Sequence, residues 1–278
     1  MSIKRIYDPA VEEIAALFPR LDVSDPLGAR ATLNEFLEAL SSQGFERPVD
    51  EHIEEIERTI PGPDGAPEVP IRIYMPKERS EPGPGFVNFH GGGFFLGDLE
   101  IEHPRCLFMA AEAGAVSVGV DYRLAPENPF PAGVEDCYAA LQWVVENAAE
   151  LKIDPARIAI GGSSAGGNLT AAVALMARDR GGPDVAFQML IYPVTDDRCE
   201  TASMKDGADL YIWDYQNSLD MWDLYIGGDR SEVSPYAAPA RARPPRAQPV
   251  RQRRARARRL RTTRGRRVLS TTGRCRTA

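Results

Sequence analysis

Histidine is absent after His103, and neither aspartate nor glutamate occurs after Glu232, in a chain of 278 residues. The first absence takes the usual general base out of the second half of the molecule. The second leaves its end without a carboxylate for acid, base or metal chemistry. Cysteine is scarce: Cys106, Cys137, Cys199 and Cys275 stand far apart with no C-x-x-C pair, which excludes a zinc ribbon or dithiol motif and predicts reduced thiols. Long hydrophobic runs are missing too. The longest, near residues 113–120, is far too short to cross a bilayer, and the opening "MSIKRIYDPAVEEIA" lacks the apolar stretch of a signal peptide. A soluble, cytoplasmic chain without a membrane partner is expected. No P-loop, dinucleotide fingerprint or cluster of metal ligands is visible, so neither a metal nor an organic cofactor is expected.

What is present suffices for one large α/β domain, with 43% hydrophobic and 8% aromatic residues. The net charge of −7 conceals an asymmetry. Residues 241–278 hold 15 arginines and no acid, so residues 1–240 carry 33 − 15 = 18 basic against 40 acidic side chains, or −22.

Local pattern gives the order of elements. "DPAVEEIAALF", with Asp8 as N-cap and Pro9 in the first turn, and "ATLNEFLEAL", with Leu33, Phe36, Leu37 and Leu40 at one-face spacing, predict two amphipathic helices. "EEIERTI" and "VPIRIYMP", joined by the turn-rich "PGPDGAPE", predict a hairpin. Apolar strands "GFVNFH", "AVSVGVDY", "RIAIGG" and "AFQMLIYP" then alternate with helices over about 101–114, 133–149 and 165–180. Strands this apolar, separated by helices, predict a parallel sheet covered on both faces.

Two motifs carry chemistry. Gly162-Ser163-Ser164-Ala165-Gly166 follows a strand and opens a helix, the context in which G-x-S-x-G makes a nucleophile elbow; a plain glycine-rich strand-to-helix turn is the alternative. Ser164 is the candidate nucleophile and Ser163 the variable position. "HGGGFFLGD", starting at His90, also follows a strand, and its bare backbone can approach a ligand. Gly92 and Gly93, with Ala165 after the nucleophile, are the candidate oxyanion-hole donors. His90 and Gly91 are read as positioning the loop, with His90 structural rather than a proton carrier.

With "DYRLAPENPFPAGVEDCYAAL", "IDPARIAIGGSSAGGNL" and "VAFQMLIYPVTDDRCETASM", these motifs make residues 15–240 resemble the hormone-sensitive-lipase-like group of α/β-hydrolases, whose members include bacterial carboxylesterases. The resemblance implies an α/β-hydrolase fold, a mostly parallel sheet with helices on both faces plus a helical cap. It implies an N-terminal cap segment (1–48), a core (49–240) holding a second cap segment at about 197–228, and hydrolysis of short acyl esters, small molecules, without a cofactor. Asp121, Arg123 and Glu127 read as scaffold in that pattern, and Ser163 stands where the family commonly has Asp or Thr.

The family pattern next requires an acid in "DPL-x-x-D" and a His in an "HGF"-like turn, and this chain has neither. After "SPYAAPARA" it becomes an arginine-rich tail (241–278), so the last strands are expected to be missing or replaced. His52, before the first strand, and His103, at the start of a helix, have no structural reason to reach Ser164. With the triad Asp and His not present, turnover is expected to be slight or nil. Strand 187–192 is expected to have an unpaired edge. The tail reads as sequence continued out of frame near residue 241; nucleic-acid or acidic-surface binding through its arginines, and a solvated extension without a role, are the alternatives. Late strands serve as dimer surfaces in related folds, so no oligomeric state is assigned.

Overall fold

The computed structural model describes residues 9–207, 210–227 and 229–243. The chain divides into Met1–Ala242 and Arg243–Ala278; all but the first three residues of the arginine-rich tail lie outside the described residues, as do Asp8, read as a helix cap, and Cys275.

Two helices come first. α1 (Pro9–Ala15) begins at the expected proline and stops short of Phe18. α2 (Pro26–Ser42) starts earlier than its apolar pattern, because Asp25 caps it by accepting from Gly28 N at 3.0 Å and Pro26 fits the first turn. Its inward face is Ala29, Leu33, Phe36 and Leu40, whereas Leu37, expected on that face, is 42% exposed. Arg30 ties this side of α2 to the body by reaching Phe95 O and Ala125 O, each at 2.7 Å; Leu37, seven residues on and so on nearly the same side, stays exposed because it borders an open cleft with Leu33, Leu96 and Ile101.

β1 (Ile53–Ile60) and β2 (Val69–Pro76) form the expected antiparallel hairpin. β3 (Gly83–Phe89), α3 (His103–Ala111), β4 (Val116–Val120), α4 (Ala132–Glu146), β5 (Ile153–Ser163), α5 (Ala165–Arg180) and β6 (Phe187–Ile191) then alternate. The sheet order is β1-β2-β4-β3-β5-β6, with β2 antiparallel to β4 and β3 to β6 mutually parallel. α6 (Ala202–Lys205), α7 (Tyr215–Ile226) and a 3₁₀ turn at Pro239–Arg241 follow. The core lies on both sheet faces around Val87, Val118, Ile160, Leu141 and Val173, all at 0% exposure. α3 is shorter than its 101–114 pattern: Pro104 sets its first turn, and Gly114 takes a left-handed φ of 57° beyond its end.

Strand order reverses at β3, whose successor β4 lies on one side while β5 lies on the other. Ligands in open α/β sheets bind where such a reversal parts the carboxyl ends of the strands. Here the two ends are Phe89 and Gly162, paired in register, and both motifs begin there.

The segment after β4 is tied down by charge. Asp136, fully buried, accepts from Arg123 Nε and Nη2, each at 2.8 Å, and from Arg123 N at 3.0 Å. That carboxylate keeps the Arg123 guanidinium above its ordinary range. Removing one partner of a buried pair strands the other's charge, so Arg123→Met is expected to cost about 3 kcal/mol, read from urea denaturation.

Among the described residues β6 forms the sheet edge, and its side chains are apolar and open: Phe187 is 60% and Leu190 41% exposed, with Tyr192 just beyond at 71%. A cavity of about 850 Å³, lined by Leu175, Gln188 and Pro239 among others, runs beside it, apart from the turn at Ser164.

Candidate active site

Ser164 stands between β5 and α5 with φ 53° and ψ −114°. L-residues avoid this backbone region, and such strain persists only where the surroundings over-determine it. Here Ser164 N donates to Ile191 O at 2.9 Å, while Ser164 O accepts from Asn168 N at 3.1 Å and Val194 N at 3.2 Å. The flanking glycines are required by closeness to β3. A Cβ on Gly162 would lie 2.3 Å from Phe89 O, and one on Gly166 1.9 Å from the same oxygen and 2.6 Å from His90 O. No side chain fits at either position.

This closeness brings the glycine loop after β3 against the turn at Ser164, and a Cβ on Gly91 would lie 3.0 Å from Ser163 Oγ. Gly92 (φ 117°), Gly93 (φ 59°) and Phe94 (φ 64°) are left-handed in succession, and Phe95 N and Leu96 N return to Gly92 O at 3.1 and 2.8 Å. Among the described residues, the N–H groups of Gly92, Gly93 and Ala165 donate to no protein acceptor, and no hydrogen bond reaches the Ser164 hydroxyl. Ala165 follows that hydroxyl at the N-terminus of α5, and the glycine loop meets the elbow at Gly91; unspent N–H donors at a helix N-terminus suit an anionic oxygen.

Residues 86–253 match the α/β-hydrolase fold family. The chain is 36% identical to esterase LipI of Mycobacterium tuberculosis over 84% of its own length and 75% of LipI's. The chain belongs to the hormone-sensitive-lipase-like α/β-hydrolases. Among solved members, a bacterial heroin esterase aligns with TM-score 0.79 and 41% identity, over 85% of this chain and 75% of that one. Carboxylesterase NlhH of M. tuberculosis is 49% identical over 57% of this chain and 49% of its own, so the chain spans about half the length of that relative.

Two of the three histidines of this chain are buried with partners of their own, and the third lies at the surface. His52 is exposed, with Nε2 3.8 Å from Glu51. His103, 1% exposed, places Nδ1 2.9 Å from Tyr74 Oη and Nε2 2.7 Å from Pro48 O. His90, also 1% exposed, stacks on Tyr122 at 4.1 Å and places Nδ1 2.8 Å from Gly91 O. A carbonyl only accepts, so Nδ1 carries the proton and Nε2 is bare, 3.9 Å from Asp121 Oδ1. Burial holds the His90 imidazole below its usual range, against the pull of Asp98 and Glu102, and also raises the Asp121 carboxyl.

Because His90 stays neutral when folded but protonates when unfolded, the unfolded chain binds the extra proton. The resulting stability is full above about pH 6.5 and is lost as pH falls from there toward the depressed folded value. Urea denaturation at about pH 7.5 and pH 5 is expected to show a smaller acid loss for His90→Gln than for the unchanged chain, by up to about 1.4 kcal/mol per pH unit.

Ser163, read as a variable position, is buried, and its hydroxyl donates to Glu102 Oε1, while Arg105 Nε donates to Glu102 Oε2 at 2.5 Å. The elbow is thus fastened to the start of α3, a contact between residues 61 apart that no local pattern signals. Glu127 pairs with Arg30 of α2 at 2.6 Å, at the surface. The contacts of α7, which lies in the segment expected as the second part of the cap, with the glycine loop had no local signal in the sequence. Phe94 stacks on Tyr225 at 3.7 Å and meets Trp222 at 5.7 Å, and Gly93 faces Trp213. Among the described residues no group of three or more His, Cys, Asp or Glu side chains is placed to hold a metal ion, and no helix is long and apolar enough to cross a membrane.

Proposed function

We infer that the described residues carry the nucleophile and oxyanion half of a serine carboxylesterase for short acyl esters. Ser164 is the nucleophile; Gly92, Gly93 and Ala165 are the oxyanion donors; His90 and Gly91 hold the loop. The observation that carries this reading is the strained backbone of Ser164 at the start of α5, together with the N–H groups of Gly92, Gly93 and Ala165, which donate to no protein acceptor among the described residues. In the full reaction the hydroxyl attacks the ester carbonyl, its proton passes to a base, and the oxyanion is held by the three N–H groups until the alcohol leaves; water then releases the acid.

The base is the missing part. All three histidines of the chain are spent on other partners or face away from that role. An unassisted serine is a poor nucleophile at neutral pH, so this chain is read as severely impaired in turnover. The test is hydrolysis of p-nitrophenyl acetate and butyrate beside Ser164→Ala. The same histidine placement supports a second reading, a noncatalytic protein whose intact oxyanion loop holds a carboxylate or ester. Nucleic-acid or acidic-surface binding would rest on the arginine-rich tail alone, and its mark would be loss in high salt. A cytoplasmic setting suits Cys106, Cys137 and Cys199, which are buried and unpaired.

A further inference from the structure

The loop that offers the oxyanion donors is roofed on one side by a single ring. A Cβ on Gly93 would lie 2.8 Å from Trp213 Cη2, 3.0 Å from Phe95 Cε1 and 3.3 Å from Met221 Cγ, so the indole edge stands directly against the glycine. The ring is pinned. Its Nε1 donates to Ser218 Oγ at 3.0 Å, Ser218 Oγ donates to Asp214 O at 3.1 Å, and Asp214 caps α7 by accepting from Asn217 N at 2.8 Å. α7 is in turn keyed to the loop by Phe94, stacked on its Tyr225 and tilted against its Trp222. A rotation of the indole would therefore break its hydrogen bond in the first turn of α7 and its contact with Phe95, whose ring centroid lies 6.4 Å away.

We propose that Trp213 sets the length of the acyl group that the Ser164 site accepts, limiting it to short chains such as acetyl and butyryl. The wall is rigid, aromatic and uncharged at the point nearest the donors, so it admits an apolar chain only up to the indole edge. The inference rests on the reading of Ser164, Gly92, Gly93 and Ala165 as the acyl-binding site.

The test uses carboxylates, which present an anionic oxygen to the donors and need no turnover. Binding of butyrate and octanoate to the full chain is measured by titration calorimetry for the unchanged protein, Trp213→Ala, Trp213→Phe and Ser164→Leu. Each methylene that gains burial is worth about fourfold in affinity. Trp213→Ala is expected to raise the octanoate-to-butyrate affinity ratio at least about tenfold, and Trp213→Phe, which keeps a ring, less than about threefold. Trp213→Leu, apolar on the same turn, gives the same reading where alanine does not fold. A ratio unchanged in both shortened variants, with butyrate still bound and Ser164→Leu weakening it, overturns the role of Trp213 and leaves the Ser164 site standing. Butyrate binding that is absent, or untouched by Ser164→Leu, overturns the site itself and the inference with it.

Discussion

Gly166→Ala is expected to destabilise the protein by about 3–5 kcal/mol, enough to leave little folded chain. The cause is a collision with backbone. The added carbon would fall 1.9 Å from Phe89 O and 2.6 Å from His90 O, and neither oxygen belongs to a side chain that can turn aside. Phe89 ends the central strand and is paired on both sides, with Val120 and Gly162, so relief requires moving three strands together. Packed interiors do not yield at that scale for less. Gly65→Ala is the control: Gly65 is also left-handed, at φ 75°, but has nothing within 4 Å, so its cost is the backbone preference alone, about 1 kcal/mol. Urea denaturation of both variants checks the difference. Equal stabilities would mean that the elbow and the end of β3 do not touch, and the oxyanion loop would lose its anchor.

The same collision explains why the glycines of the candidate site were legible in the sequence. Glycines at 162, 166, 92 and 93 are forced by backbone proximity or by left-handed φ, so each constraint leaves a mark at a single position. The alternation of apolar strands and helices marks the sheet in the same local way, and α5 spans the expected 165–180. What stayed hidden depends on pairs far apart in sequence. Glu102 precedes α3 as an unremarkable acid, and only the fold brings it to Ser163. Trp213 reads as an ordinary aromatic before a helix, and its importance comes from facing Gly93 across the chain reversal. Leu37 shows the limit of periodicity itself: the apolar pattern admits it to the inner face of α2, but the body leaves an open cleft there and Leu37 stays 42% exposed at its rim.

The second large effect is on turnover. Ser-based esterases depend on a base for both halves of the reaction, and losing a triad member leaves only the roughly 10³ to 10⁴-fold over water that oxyanion donors and binding supply. Among the three histidines, His90 is nearest in sequence to the site, yet its protonated Nδ1 is held by Gly91 O and its bare Nε2 faces Asp121. His103 is locked between Tyr74 and Pro48, and His52 lies at the surface. With Ser164 read as the nucleophile and no base supplied by these histidines, its hydroxyl is expected to contribute nothing measurable of its own.

The most direct measurement follows p-nitrophenol release from p-nitrophenyl butyrate, from the first turnover into the steady state, for the chain and for Ser164→Ala. The expected result is no burst and a steady rate within about twofold of Ser164→Ala, because both then retain the oxyanion donors alone. A burst matching the protein concentration, followed by turnover that Ser164→Ala abolishes, would contradict it: Ser164 would then be acylated with the help of a base that the placement of the three histidines does not supply.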